Sequence, residues 1–228
     1  ESGNDAFLFV HNTVNGYVCV DNGSFSVVPT DTIGTTFVST GGTGYSAATI
    51  ATFSAPGGGG STATGTVVIV DGVIASVLIT SGGSGYTNLD ILTCIITDGG
   101  GGIGASVFAY LNAFPTTELV PGAVYLDGYT IVCTKSGLLY SSDEEAPKRW
   151  NPYNYVSVRS DPDYVVGIVK HFNYVCCFGE WSTEYFYNAG NQTITPGSPL
   201  LRQDSYKSEL GCADGDSIVQ FEQAVVWV

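Results

Sequence analysis

Apolar and β-branched residues recur along this chain in short alternating runs, and each run stops at a two-residue turn signal. FLFVHNTVNGYVCVDNGSFSVV carries Asn15-Gly16 and Asn22-Gly23, VVIVDGVIASVLIT carries Asp71-Gly72, and VYLDGYTIVCTKSGLLYSS carries Asp127-Gly128 and Ser136-Gly137. A period of two places every second side chain on one face of a strand. Asn-Gly and Asp-Gly supply the two positive φ angles of a type I′ hairpin turn. Residues 1 to about 30 therefore read as three short antiparallel strands closed on Asn15-Gly16 and Asn22-Gly23. Regular hairpins resume after Ala113 and continue to the C-terminal residue given, with Phe114-Pro115 and Val120-Pro121-Gly122 marking the change.

Between these segments lies an internal repeat. Gly41-Gly42-Thr43-Gly44-Tyr45 recurs as Gly82-Gly83-Ser84-Gly85-Tyr86, and each copy leads through a strand (TIATF, ILTCII) to a four-glycine run, Gly57 to Gly60 and Gly99 to Gly102. The unit of Gly-Tyr turn, strand, glycine loop and strand predicts a small β-sandwich or barrel. Such an insertion at a loop tip is thermodynamically tolerated. The expected organisation is a first β-meander over 1–33, an inserted glycine-rich module over 34–112 and a second body segment over 113–228. Neither glycine run is followed by Gly-Lys-Ser/Thr or opens a helical pattern, so neither reads as a phosphate loop.

Composition reinforces the strand reading. The chain has 228 residues with 30 glycines, many Val, Ile, Thr and Tyr, and few Lys, Arg and Leu, which leaves almost no helix to expect. Seven Lys+Arg stand against 21 Asp+Glu, a formal charge of −14. That balance excludes a broad phosphate-binding surface, which needs clustered cations, while an acidic wall suits a conduit that lets DNA pass without holding it. No apolar run reaches the roughly 18–20 residues of a membrane helix, and the N-terminus lacks a basic-then-apolar leader pattern, so a soluble protein without membrane partners is expected. The absence of methionine and a last residue inside an apparent strand, Val226-Trp227-Val228, lead us to expect a piece of a longer chain. The six cysteines (Cys19, Cys94, Cys133, Cys176, Cys177, Cys212) show no metal spacing and read as buried free thiols.

Candidate chemistry concentrates in DPDYVVGIVKHFNYVCCFGEWSTEYFYNAGN, residues 161–191. Glu180 and Glu184 are four apart, which on a strand puts both on one face and admits a glycosidase acid and nucleophile; the plainer reading is a turn cap and a solvated carboxylate. Asp161 and Asp163 flank Pro162 and offer oxygens to a hard cation, or simply form an Asp-Pro-Asp turn. Asp143-Glu144-Glu145, ahead of Arg149, Trp150 and Tyr153, reads as an exposed charged-then-aromatic loop of the kind that carries contacts. The aromatics Trp150, Tyr153, Tyr155, Trp181, Tyr185, Tyr187 and Trp227 alternate with polar residues, as a sugar-stacking or protein-binding surface does, and as ordinary sheet filling does too. His11 and His171 are far apart in sequence, and no G-x-S-x-G motif accompanies them. No catalytic set, cofactor or metal site is expected.

The order of the later motifs has a further meaning. Leu126-Asp127-Gly128-Tyr129, Pro162-Asp163, Phe178 to Glu184, Asn188 to Gly190, Arg202 with Gly211-Cys212, and Val226 to Val228 together resemble the packaged-DNA stabilisation family, the tail hub proteins of short-tailed bacteriophages. The resemblance covers residues 119–228, with residues 1–30 compatible. It implies an all-β fold, with antiparallel hairpins forming a β-propeller-like body, complete or incomplete, into which the glycine-rich module is inserted. Members of that family are longer and have a closed propeller body, so either a shortened hub or further sequence is expected.

The function so implied is mechanical. A ring, usually of six copies, sits below the portal and adaptor proteins, closes the exit after packaging, receives tail needle and tailspike or fibre proteins, and lets double-stranded DNA through its lumen without specific binding. Such a protein belongs to the virion and is assembled in the host cytoplasm. Candidate interface residues are Asp143, Glu144, Glu145, Arg149, Trp150, Tyr153, Glu180, Trp181 and Glu184. The competing reading is a carbohydrate-binding or glycoside-cleaving phage tail β-protein.

Overall fold

A computed structural model describes residues 7–13, 15–20, 24–158, 163–190 and 197–228, without the side chains of Phe7, Leu8, Cys19, Val20 and Ser24. The Asn22-Gly23 turn, Asp161-Pro162 and Cys19's side chain lie outside what is described. Among the described residues the regular structure is antiparallel strand, with two single-turn 3₁₀ segments at Asp204–Tyr206 and Gly215–Ser217. The chain divides into two units, one formed by Glu1–Val28 with Phe114–Val228, the other by Pro29–Ala113.

Strands β1 (Phe7–His11), β2 (Gly16–Val20) and β3 (Ser24–Val27) form the expected three-stranded meander. Its first turn differs from the expected one. His11 pairs directly with Gly16, so Gly16 belongs to the strand, and the connection is closed by Asn12 and Asn15 through Asn12 N–H to Asn15 O (3.0 Å) and Asn15 N–H to Asn12 Oδ1 (2.8 Å). Glycine is needed at 16 for space: a Cβ there would lie 2.9 Å from the Phe114 ring.

In the second unit, β4 (Ile33–Thr43), β5 (Ile50–Phe53) and β6 (Thr64–Val70) come from the first repeat copy, and β7 (Val73–Ser81), β8 (Thr93–Thr97) and β9 (Ile103–Leu111) from the second. Asp71 (φ 52°) and Gly72 (φ 77°) make the predicted β6–β7 turn. Pairing crosses between copies: β4 pairs with β9, β5 with β8 and β6 with β7, giving one sheet ordered β4-β9-β8-β5 and a two-stranded β6-β7 sheet. The two sheets enclose one core containing Ile33, Phe53, Ile74, Val77, Tyr86 and Val107. Equivalent contacts recur on both sides. Tyr45 Oη accepts from Ala105 N–H (3.0 Å) and Tyr86 Oη from Ala63 N–H (2.9 Å), each beside a left-handed glycine, Gly42 or Gly83. The glycine runs join β5 to β6 and β8 to β9, and no helix follows either.

The first unit continues with two four-stranded sheets, β10 (Val124–Leu126), β11 (Tyr129–Cys133), β12 (Leu138–Ser141) and β13 (Tyr155–Ser157), then β14 (Val165–His171), β15 (Tyr174–Gly179), β16 (Thr183–Asn188) and β17 (Leu200–Arg202). A hairpin of β18 (Val219–Phe221) and β19 (Ala224–Val226) follows. The Asp127-Gly128 turn has the positive φ pair its sequence predicts. Each four-stranded sheet is a meander, and burial on both faces explains the unbroken apolar runs YTIVC and YVCCF. Ile131, Cys133 and Leu139 of one sheet meet Ile168, Val175, Cys177 and Phe186 of the other in a shared core. The opposite face of the first sheet offers Val132 to Val18, Phe114 and Trp150. The opposite face of the second offers Cys176 and Phe178 to Ile218, Val225 and Trp227. The stack of meander, sheet, sheet and hairpin, none of them closed, is how successive propeller blades pack. Cys176 and Cys177 thus point into different cores, and the thiols of Cys94, Cys133, Cys176, Cys177 and Cys212 are all buried and free. Burial pushes the Cys94 thiol up to about 11 and the Cys176 thiol up to about 12.

Candidate assembly surface

The quoted stretch folds into a clamp. The β14–β15 hairpin turns at Phe172 (φ 52°) and returns the end of β15 to the start of β14, which sets Asp163 against the turn 179–183. One carboxylate oxygen, Oδ1, accepts from Glu180 N–H (3.0 Å); the other accepts from Trp181 N–H (3.0 Å), Ser182 N–H (3.0 Å) and the Ser182 hydroxyl (3.1 Å). Three successive amides aimed at one carboxylate make an anion nest whose anion is part of the chain. Asp163 is therefore a turn clamp, with its oxygens occupied, and the cation reading of it is replaced. Among the described residues no group of three His, Cys, Asp or Glu side chains gathers as a metal site.

A second segment locks the outer side of the same turn. Cys212 N–H donates to Gly179 O (2.8 Å), Thr183 and Ser208 exchange backbone hydrogen bonds (2.9 and 3.0 Å), and the Thr183 hydroxyl donates to Leu210 O (2.6 Å). Gly211 sits so near the Glu180–Trp181 peptide that any Cβ would collide with it. Trp227 Nε1–H then donates to Gly211 O (2.8 Å) while its ring packs on Phe178 with centroids 4.9 Å apart.

Glu180 and Glu184 are not on one face. Glu180 is exposed on the turn, whereas Glu184 is a buried residue of β16. The β16–β17 pairing brings Arg202 to it, with Nη1 3.5 Å from Glu184 Oε2, while Arg202 Nε donates to Asp204 Oδ1 at 2.6 Å. The Asp204 hydrogen bond raises the guanidinium's hold on its proton, and Glu184 adds to it. A pair of carboxylates split between solvent and interior cannot flank a glycosidic bond, which needs both at one cleft.

Trp181 is left 76 % exposed at the tip of this clamp. Tyr164, whose carbonyl accepts from Glu180 N–H (3.2 Å), and Leu210, next to Gly211, are exposed beside it. A large aromatic on a turn this heavily hydrogen-bonded loses little entropy on docking, the property of an interface anchor. Nothing in the residue types singles out Tyr164 and Leu210; the ordered set placing Pro162-Asp163, Phe178 to Glu184 and Gly211-Cys212 together is the signal that leads to them.

The loop 143–153 is folded tightly. Asp143 N–H donates to Arg149 O (2.8 Å), and the two side chains lie 3.7 Å apart. Burial raises the Asp143 carboxyl above its ordinary range, and the Arg149 charge offsets part of that rise. Glu145 accepts from the Tyr125 hydroxyl (2.9 Å), which burial first and Glu145 second push upward. Trp150 is an interior residue: Nε1–H donates to Pro147 O (2.9 Å), and its ring meets Phe114 edge-on at 5.0 Å. Glu144, Glu145, Arg149 and Tyr153 remain on the surface, Asp143 is half-buried, and Trp150 and Glu184 are buried. His11 and His171 bond backbone carbonyls, of Asn12 and Gly122 and of Gln223 respectively.

Residues 110–228 match the family model described as phage stabilisation, Bacteriophage P22 Gp10, beta-propeller. The chain belongs to this phage stabilisation family. The match spans the clamp and both four-stranded sheets, and leaves most of the glycine-rich unit outside it. No curated protein matches the chain. The family is one of phage structural proteins concerned with packaged DNA, and among the described residues no helix is long and apolar enough to cross a membrane.

Proposed function

We propose that this protein is a tail hub or head-completion component of a bacteriophage. It acts without catalysis, as a ring of copies, six in the arrangement usual for such hubs, that closes the portal–adaptor exit and stabilises packaged DNA. Residues 34–112 are the inserted module and the remainder the hub body. Portal and adaptor proteins, tail needle, and tailspike or fibre proteins are its neighbours in the virion, which is assembled in the host cytoplasm. DNA crosses the lumen without specific contacts, in keeping with the net charge of −14. One observation carries this reading: the late motifs of the family resemblance from Asp163 to Trp227, except Asn188 to Gly190 and Arg202, converge on the clamp that holds Trp181 outward. Chain chemistry spent on stiffening a turn fits a contact surface. The candidate interface residues Asp143, Glu144, Glu145, Arg149, Tyr153, Glu180 and Trp181 are then its exposed or half-exposed parts. Complementation of a phage deleted for this gene tests the proposal. Trp181→Ala should yield heads that lose their DNA, whereas Glu180→Gln should leave assembly intact. Full particle yield with Trp181→Ala, or loss of polysaccharide cleavage with Glu180→Gln, would overturn it.

A further inference from the structure

The outer face of the β4-β9-β8-β5 sheet has an unusual composition for a solvent-facing surface. Alternation is strict along residues 91 to 97: Leu92, Cys94 and Ile96 turn to the core, while Ile91, Thr93, Ile95 and Thr97 face out. The neighbouring strands contribute Phe108, paired across to both Phe37 and Thr93, and Ile50 and Thr52, paired to Thr97 and Ile95. No charged side chain lies on this face. Residues 29–113 contain four aspartates and no Lys, Arg, His or Glu. Three of the four, Asp31, Asp90 and Asp98, accept hydrogen bonds from backbone amides of the module itself.

Four large apolar residues stand open there: Ile91 at 84 %, Ile95 at 60 %, Ile50 at 58 % and Phe108 at 49 % exposure. At roughly 180 Å² for a large side chain they present on the order of 450 Å² of contiguous apolar surface, a patch of the size that is often functional on a monomer. With the interspersed threonines the face has the size of a weak, transient interface rather than of a permanent one. We propose that this face pairs with the same face of a second copy of the chain. A partner rich in either charge would have to desolvate its ions against a surface that offers none in return. An identical uncharged face carries no such cost and satisfies the self-complementarity of a two-fold contact. This contact is separate from the Trp181 clamp and, being two-fold, is not the head-to-tail contact that closes the proposed ring.

Sedimentation of the full chain tests it. The wild type should self-associate at tens of micromolar, and Ile95→Asp or Phe108→Asp should weaken that association at least about tenfold, since each substitution enters a two-fold contact twice. Trp181→Ala should leave this contact unchanged. Monomeric wild type at that concentration, or association unaffected by both aspartate variants, would overturn the proposal. As a check free of folding effects, benzoyl-phenylalanine at position 108 should cross-link to residues 29–113 of another copy. Cross-links that map to residues 114–228 or to a different protein would refute it.

Discussion

Removing the Asp163 carboxylate isolates what the clamp contributes. Its four hydrogen bonds are charge-assisted, and those from Ser182 are partly shielded whereas those from Glu180 and Trp181 are exposed. A shielded bond to an ionised acceptor contributes about 1.5–3 kcal/mol, and an exposed one, where water replaces the lost partner, nearer 0.5 kcal/mol. Asp163→Ala should therefore destabilise the first unit by about 4 kcal/mol, the low end of the sum, since bonds that share one acceptor are not additive. Asp163→Asn should cost about half of that, because one neutral oxygen remains for Trp181 and Ser182 while the amide NH₂ faces the Glu180 N–H. Guanidinium titration followed by tryptophan fluorescence reads the right unit, since Trp150, Trp181 and Trp227 all belong to it. An alanine variant within about 0.5 kcal/mol of wild type would mean that the turn keeps its shape unaided, and the reasoning from anion nest to rigid anchor would fail.

Two further outcomes are expected. The Gly102 amide first, then the Ser46 hydroxyl, lower the Asp98 carboxyl to about 2. The stability it adds to the second unit is present above the unfolded value near 3.8 and is lost as pH falls through the folded value. Asp98→Asn should remove that acid sensitivity, read by hydrogen exchange of β8 and β9 amides across pH 2–5, and an unchanged profile would contradict it. Arg202→Ala should remove one partner of the buried Glu184 side chain and destabilise the first unit by roughly 1–2 kcal/mol, and adding Glu184→Gln should recover part of the loss in thermal melts; strict additivity of the two changes would show that the pair is not coupled.

Local chemistry was legible where the decisive partner is a sequence neighbour. Asp71-Gly72 and Asp127-Gly128 close hairpins as predicted because the turn needs only its own two φ angles. Asn15-Gly16 carries the same signal and does something else, since Gly16 answers to the ring of Phe114, 98 positions away (114 − 16). Glu184 looked like half of a carboxylate pair because Arg202, which accompanies it inside, is reached only through the β16–β17 pairing. Trp150 in RWNP looked like a contact residue, and its burial depends on Phe114. The repeat was visible as two copies, but which strand pairs with which was not, because both copies carry compatible alternation.

That cross-copy pairing has a consequence for how the polypeptide is made. β4 leaves the ribosome 60 to 78 positions before its partner β9, counting from Thr43↔Ile103 and Ile33↔Leu111. At about 5–20 residues per second it must wait several seconds with its edge bare. A deletion that drops one copy therefore takes from β4, β5 and β6 their partners β9, β8 and β7, or the reverse, and leaves the other copy's strands without the edges they pair with.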